Sequence, residues 1–263
     1  MARRARCCAE APISVSPVVR SRSVSAEGEL AFGDLVAETR ARAAADANYL
    51  GSEDQRGLLE GYLKSIVPDV RVAWQQAGQG SYFDRRNRVV ALELPRAGAV
   101  APDETAETAA VLALHESLHA AYSGDVGSKF RMRVGVLRRE SREFVEYLFN
   151  HIEDARVGHH CAADDPSTAT FLEKFEREAL RQQLVVANSR RNRFLNALLE
   201  RLLLGLAPTG VETEVATALA EAEPQIAGAL AGSTRESGLA ALEIARICSA
   251  EGLDEPPPTP PAV

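Results

Sequence analysis

The most apolar stretch of the chain is AAVLALHESLHAAY, residues 109–122, and polar side chains interrupt it only at His115, Glu116, Ser117 and His119. Its length and spacing predict a buried helix. Pro95 and Pro102 bracket a loop before it, Asp103 or Thr105 opens it, and Glu104 and Glu107 suit its positive end. Gly124 is the expected stop. Upstream, Leu30, Leu35 and Val36 give residues 28–48 a helical pattern. Ser52 ahead of Glu53, Asp54 and Gln55 is an N-cap signal for a helix that Pro68 ends. Val70, Val72 and Trp74 then alternate with polar positions, as do Val89 to Leu94, which predicts a β-hairpin with a long connection. Such a hairpin either offers an edge to an extended peptide or simply covers the helix.

Downstream, residues 128–160 read as helix, broken in the basic segment Arg131 to Arg142, with Phe144, Leu148, Ile152 and Ala155 as a core-facing stripe. One long helix is expected over 167–204, followed by helices over 213–230 and 236–249. The predicted fold is mainly α with a small β-hairpin, an α+β arrangement of zincin-like helical type. It occupies 28–253 as a single domain, with a core at about 70–205 and C-terminal helices at 206–253. A leader (1–27) without periodicity precedes it and a Pro-rich tail (254–263) follows, both expected to be poorly ordered or extended.

A length of 263 residues is enough for a substantial core. The net charge of −7 argues against a general nucleic-acid binder, and lysine occurs only at Lys64, Lys129 and Lys174. Cys7 and Cys8 are adjacent, Cys161 and Cys248 stand far apart, and no disulfide framework follows, so a reducing cytoplasm is expected. No run approaches the roughly 18 apolar residues of a membrane span, and the N-terminus lacks the apolar core of a signal peptide.

His115 and His119, four apart on one helix, can present ring nitrogens to one point, with Glu116 beside it. Two imidazoles on zinc and a carboxylate over its water are the parts of a zinc hydrolase. The competing reading is a pair of core histidines bonded to backbone carbonyls, with Glu116 reaching an arginine. A catalytic zinc needs a third protein ligand. Asp125 would complete H-E-x-x-H-x-x-Y-x-x-D, which resembles the metzincin pattern but has Tyr122 where that pattern needs Gly for a sharp turn. Glu153, on a second helix, would give the gluzincin arrangement and is favoured on ligand count. Asn150, Glu153, Asp154 and Val157 share one face, so Glu153 could ligate while Asp154 or Asn150 holds a histidine's other ring nitrogen. Against this, the acids could be solvated partners of Arg156 or the basic segment. Tyr122 is a candidate to stabilise an oxyanion. His151 is expected to face away from Glu153, and His159 and His160 to sit at a helix end.

HESLH followed by NHIEDARV, preceded by SYFDRRNRVVALEL, resembles the metallopeptidase-like N-terminal portion of cobaltochelatase-subunit-like and nitric-oxide-reductase-activation-like proteins, phage relatives included. The likeness covers roughly residues 70–205. It implies zinc ligands at His115, His119 and Glu153 and a catalytic carboxylate at Glu116. Those proteins continue into a von Willebrand factor A domain with a D-x-S-x-S motif, which this chain lacks. The expectation is therefore a stand-alone version, or a piece whose partner domain is encoded elsewhere. The expected activity is zinc-dependent hydrolysis of a peptide or protein substrate. The rival is a non-catalytic adaptor for an ATPase or chelatase-type assembly, its metal only stapling two helices. A fourth protein ligand such as Asp125 or His160 would mark that rival.

Overall fold

Ser52 caps its helix as its position suggests, its hydroxyl accepting from the Gln55 amide, and Pro68 follows two residues after the last helical one. The computed structural model describes residues 31–253 except 77–78, 94–99, 184–188 and 207–208. The leader and the Pro-rich tail lie outside the described residues. The first helix is α1 (Phe32–Ala45), joined through a 3-10 turn to α2 (Glu53–Ile66). The histidine helix is α3 (Pro102–Tyr122), with Pro102 in its first turn, where a missing N–H is harmless. Glu107 does more than complement the helix dipole. It is buried and ion-paired to Arg40 of α1 and Lys174, at 2.7 and 2.5 Å.

The strands form a mixed sheet rather than the expected simple hairpin. β1 (Arg71–Gln75) lies parallel to β3 (Val89–Glu93), with Arg71 opposite Val89, and β2 (Tyr82–Asp84) runs antiparallel on the other side of β3. The connection read as a loop thus contains a strand. Its turn is built by Asp84, whose carboxylate accepts from the Arg86 and Asn87 amides, and by Arg88, which takes φ +50°. β1 and β2 are therefore the sheet's edges. The central strand β3 is the buried one and packs with β2 against α3.

The basic segment does break the next stretch, giving α4 (Ser128–Gly135) and α5 (Arg139–Asp164). The single helix expected over 167–204 is two, α6 (Pro166–Gln183) and α7 (Arg190–Leu204), because Ser189 N-caps the second through the Asn192 amide. The last helices are α8 (Thr213–Leu230) and α9 (Thr234–Ala250), α9 opened by a capping box of Ser233 and Glu236. The fold is mainly helical with a small three-stranded mixed sheet. Among the described residues no helix is long and apolar enough to cross a membrane. Cys161 and Cys248 are buried and form no disulfide.

Two apolar clusters divide the interior. One joins α1, α2, the sheet and α3 with Leu172 of α6; the other joins α4, α7, α8 and α9. α5 serves both. Its residues Phe144 to Ala155 belong to the second cluster, whereas Val157 and Cys161 belong to the first. The changeover falls beside Glu153 and Asp154.

Candidate metal centre

α3 carries His115 and His119 one turn apart, and the crossing of α5 brings an acidic side chain to them. That side chain is Asp154. His119 Nε2 lies 3.3 Å from His115 Nε2 and 3.1 Å from Asp154 Oδ1, and His115 Nε2 lies 3.9 Å from the same oxygen. Ligands about 2.0–2.1 Å from a tetrahedral zinc stand about 3.3 Å apart, so the three donors are spaced as a metal would need them. Two borderline nitrogen donors and one carboxylate also form a chemically suitable set. His115, His119 and Asp154 could therefore hold a metal ion. The Asp154 side chain keeps 30% of its exposure and His115 keeps 17%, so solvent reaches the triad.

Glu153, expected as the third ligand, points elsewhere. Its carboxylate receives Nε and Nη2 of Arg156 at 2.9 and 2.8 Å, Ser123 Oγ at 2.7 Å and Thr234 Oγ1 at 2.7 Å. Arg85, from the β2–β3 turn, adds a guanidinium nitrogen at 3.5 Å. Successive residues on a helix point about 100° apart. Packing turned Glu153 into the joint between the end of α3 and the start of α9, which left Asp154 facing the histidines. Asp154, expected beside the ligand, is thus the carboxylate that faces the two histidines.

The remaining candidates separate cleanly. Asp125 is exposed and paired with Arg131 at 2.5 Å. Asn150 is exposed one turn before Glu153 on α5. The Tyr122 hydroxyl donates to Asp164 at 2.6 Å, and its ring stacks on His160. Asp164 is ten residues beyond Asp154 on α5, about 15 Å along the axis, so Tyr122 is not aimed at the triad. His160 donates to the Gly232 carbonyl and His159 is exposed. His151, three residues before Asp154, has Nδ1 3.9 Å from Asp154 Oδ2, behind the triad. Sequence reasoning missed Ser123, and it had Arg156 only as a solvated partner of the acids, whereas the pair is buried. Ser123 continues the 115–119 series by four, and Arg156 lies three residues from Glu153 on one helix, so both signals were present.

The electrostatics follow from burial and neighbours. Burial pushes His115 down to about 4, helped by the positive charge of His119. Burial also lowers His119, but its hydrogen bond to Asp154 and the nearby carboxylates of Glu116 and Glu153 hold it above the ordinary 6.5. Glu116 is buried, and loss of hydration pushes it up to about 7. Burial would raise Glu153, yet the Arg156 guanidinium outweighs it and brings the group down to about 2.

The Glu153–Arg156 pair is 1–2% exposed and is further tied to the Tyr122 carbonyl and Thr234. Removing one member of such a pair strands the other charge. Arg156→Ala is expected to destabilise the fold by about 3–5 kcal/mol. Glu153→Gln in the Arg156→Met background should recover much of that loss in urea unfolding; equal losses in the single and double variants would contradict the pairing.

Comparison with protein-family models, with curated proteins and with solved structures finds no match to the chain.

Proposed function

We propose that this is a zinc-dependent, metallopeptidase-like hydrolase, with His115, His119 and Asp154 holding the metal and Glu116 acting as general acid–base. The observation that carries the reading is the convergence of the three donors beside a buried carboxyl on the same helix. A bound zinc would supply Lewis acidity and bring the pKa of a water it holds from about 15.7 toward about 7. Glu116 accepts a proton from the attacking water and returns it to the leaving amine, a role suited to a group poised at about 7. His119 and Asp154 fix the donor positions, and the partly exposed side of Asp154 is the approach for a peptide or protein substrate.

The alternative of a closed, stapling site is disfavoured, since Asp125 and His160 are engaged with Arg131 and Gly232. The likeness of HESLH and NHIEDARV to chelatase-associated proteins extends the proposal to a cytoplasmic setting beside an ATPase or a von Willebrand factor A partner. That extension rests on the two motifs alone.

Metal analysis tests the reading. The protein at pH 8 should carry about one zinc per chain, and His115→Ala should carry none. Binding must displace the proton that His119 holds below its raised pKa, whereas His115 stays neutral down to about 4. Affinity should therefore fall at least about tenfold for each pH unit between about 6.5 and 5. A pH-independent affinity, or zinc retained without His115, would rule the triad out.

A further inference from the structure

Of the side chains around the triad, Ser123 allows only one arrangement of protons. It lies four residues after His119, at the C-cap of α3, with Oγ 3.1 Å from His119 Nδ1 and 2.7 Å from Glu153 Oε1. A serine hydroxyl has one proton to give. Glu153, bound on both oxygens by Arg156, is an acceptor only, so the Ser123 proton goes to it. Toward His119 the Ser123 oxygen can then only accept, and His119 Nδ1 must carry a proton. In the neutral ring that leaves the lone pair on Nε2, the atom that faces His115 and Asp154.

The surrounding bonds enforce the same direction. Thr234 Oγ1 also gives its proton to Glu153 and accepts the Gly124 amide at 2.7 Å, so it cannot reverse the chain. Arg85 adds a further positive group on the same carboxylate oxygen. We propose that Ser123 and Glu153 are positioning residues that hold the His119 ring through Nδ1–H and present Nε2 to the centre of the triad. This rests on the metal reading for its purpose. The hydrogen-bond direction follows from the donor and acceptor chemistry of Ser123 and Glu153 and does not depend on a metal. Glu153 thus acts on the metal through a hydroxyl and an imidazole, without touching it.

The test compares Ser123→Ala with Ser123→Thr, which keeps the hydroxyl, and uses two readouts. In metal-free protein at pH 6 the His119 ring Nδ1–H should give a slowly exchanging proton resonance in NMR. It should persist in Ser123→Thr and disappear in Ser123→Ala. Zinc affinity, measured by chelator competition at pH 8, should fall about 10–100-fold in Ser123→Ala and much less in Ser123→Thr. An unchanged resonance in Ser123→Ala, or a zinc affinity in Ser123→Ala equal to that of a zinc-binding wild type, overturns the positioning role. Should the wild type bind no zinc yet show the hydroxyl-dependent resonance, the ring-holding chain stands and the metal reading fails.

Discussion

Asp154→Ala is expected to lower zinc affinity by well over 100-fold, while Glu153→Gln, one residue earlier on the same helix, retains the metal within about 10–100-fold of the wild type. The first figure exceeds, and the second spans, the range measured for groups that act on a metal only through its ligands. Asp154 provides the one charged donor of the triad, 3.1 Å from His119 Nε2. Its removal leaves two imidazoles, which do not hold a catalytic zinc. Folding should scarcely notice, because the side chain is 30% exposed and, among the described residues, its close contacts are with the histidines. Glu153→Gln should behave the other way round. It disturbs the Arg156 pair at 1–2% exposure and so weakens the fold, but it leaves all three donors in place. Isothermal titration with zinc and urea unfolding of both variants separate the two roles. Metal lost with Glu153 and kept without Asp154 would restore the gluzincin assignment and remove the one made from the structure.

The second large effect concerns Glu116. Glu116→Gln should keep zinc and lower peptide hydrolysis by about 10²–10⁴-fold, the range for a positioned acid–base group. It should also stabilise the metal-free protein at alkaline pH. The folded-state pKa of about 7 lies above the ordinary 4.5, so folding is favoured by protonation. That contribution is complete below about 4.5 and disappears as pH rises through 7, where a buried carboxylate must be tolerated. The interval corresponds to at most about 3.5 kcal/mol. The glutamine variant should therefore melt higher than the wild type at pH 8 and about equally at pH 4.5. Thermal melts of metal-free protein at the two pH values measure the difference. Unchanged turnover in the zinc-loaded variant would exclude Glu116 from the chemistry.

Much of this was written in the chain. The apolar run around His115 and His119 defined α3, the Ser52 cap defined α2, and the stripe from Phe144 to Ala155 defined the buried face of α5. Local signals suffice for such elements, because periodicity and capping act within a few turns. The strand pairing was not legible. Val70 to Trp74 and Val89 to Leu94 alternate as a hairpin would, and only the three-residue strand Tyr82–Asp84 between them makes β1 and β3 parallel. The third corner of the site failed for a related reason. Glu153 and Asp154 differ by one helical step, and which of them meets the histidines depends on how α5 rolls against α3 and α9. That roll is fixed by partners distant in sequence, Thr234 and Ser123, together with Arg156. The series His115, His119, Ser123 and the pair Glu153, Arg156 were visible as spacings. Their meaning came only with the crossing of the helices.

α5 also limits how this molecule can move. It runs unbroken for 26 residues, contains no proline, and its one glycine, Gly158, is packed against the Glu176 carboxyl. A helix bends sharply only where something interrupts its ladder. Since its two halves are rooted in different clusters, those clusters share a stiff axle and cannot clamshell around the histidines without snapping it. The three donors are then set in place by a rigid frame before any ion arrives.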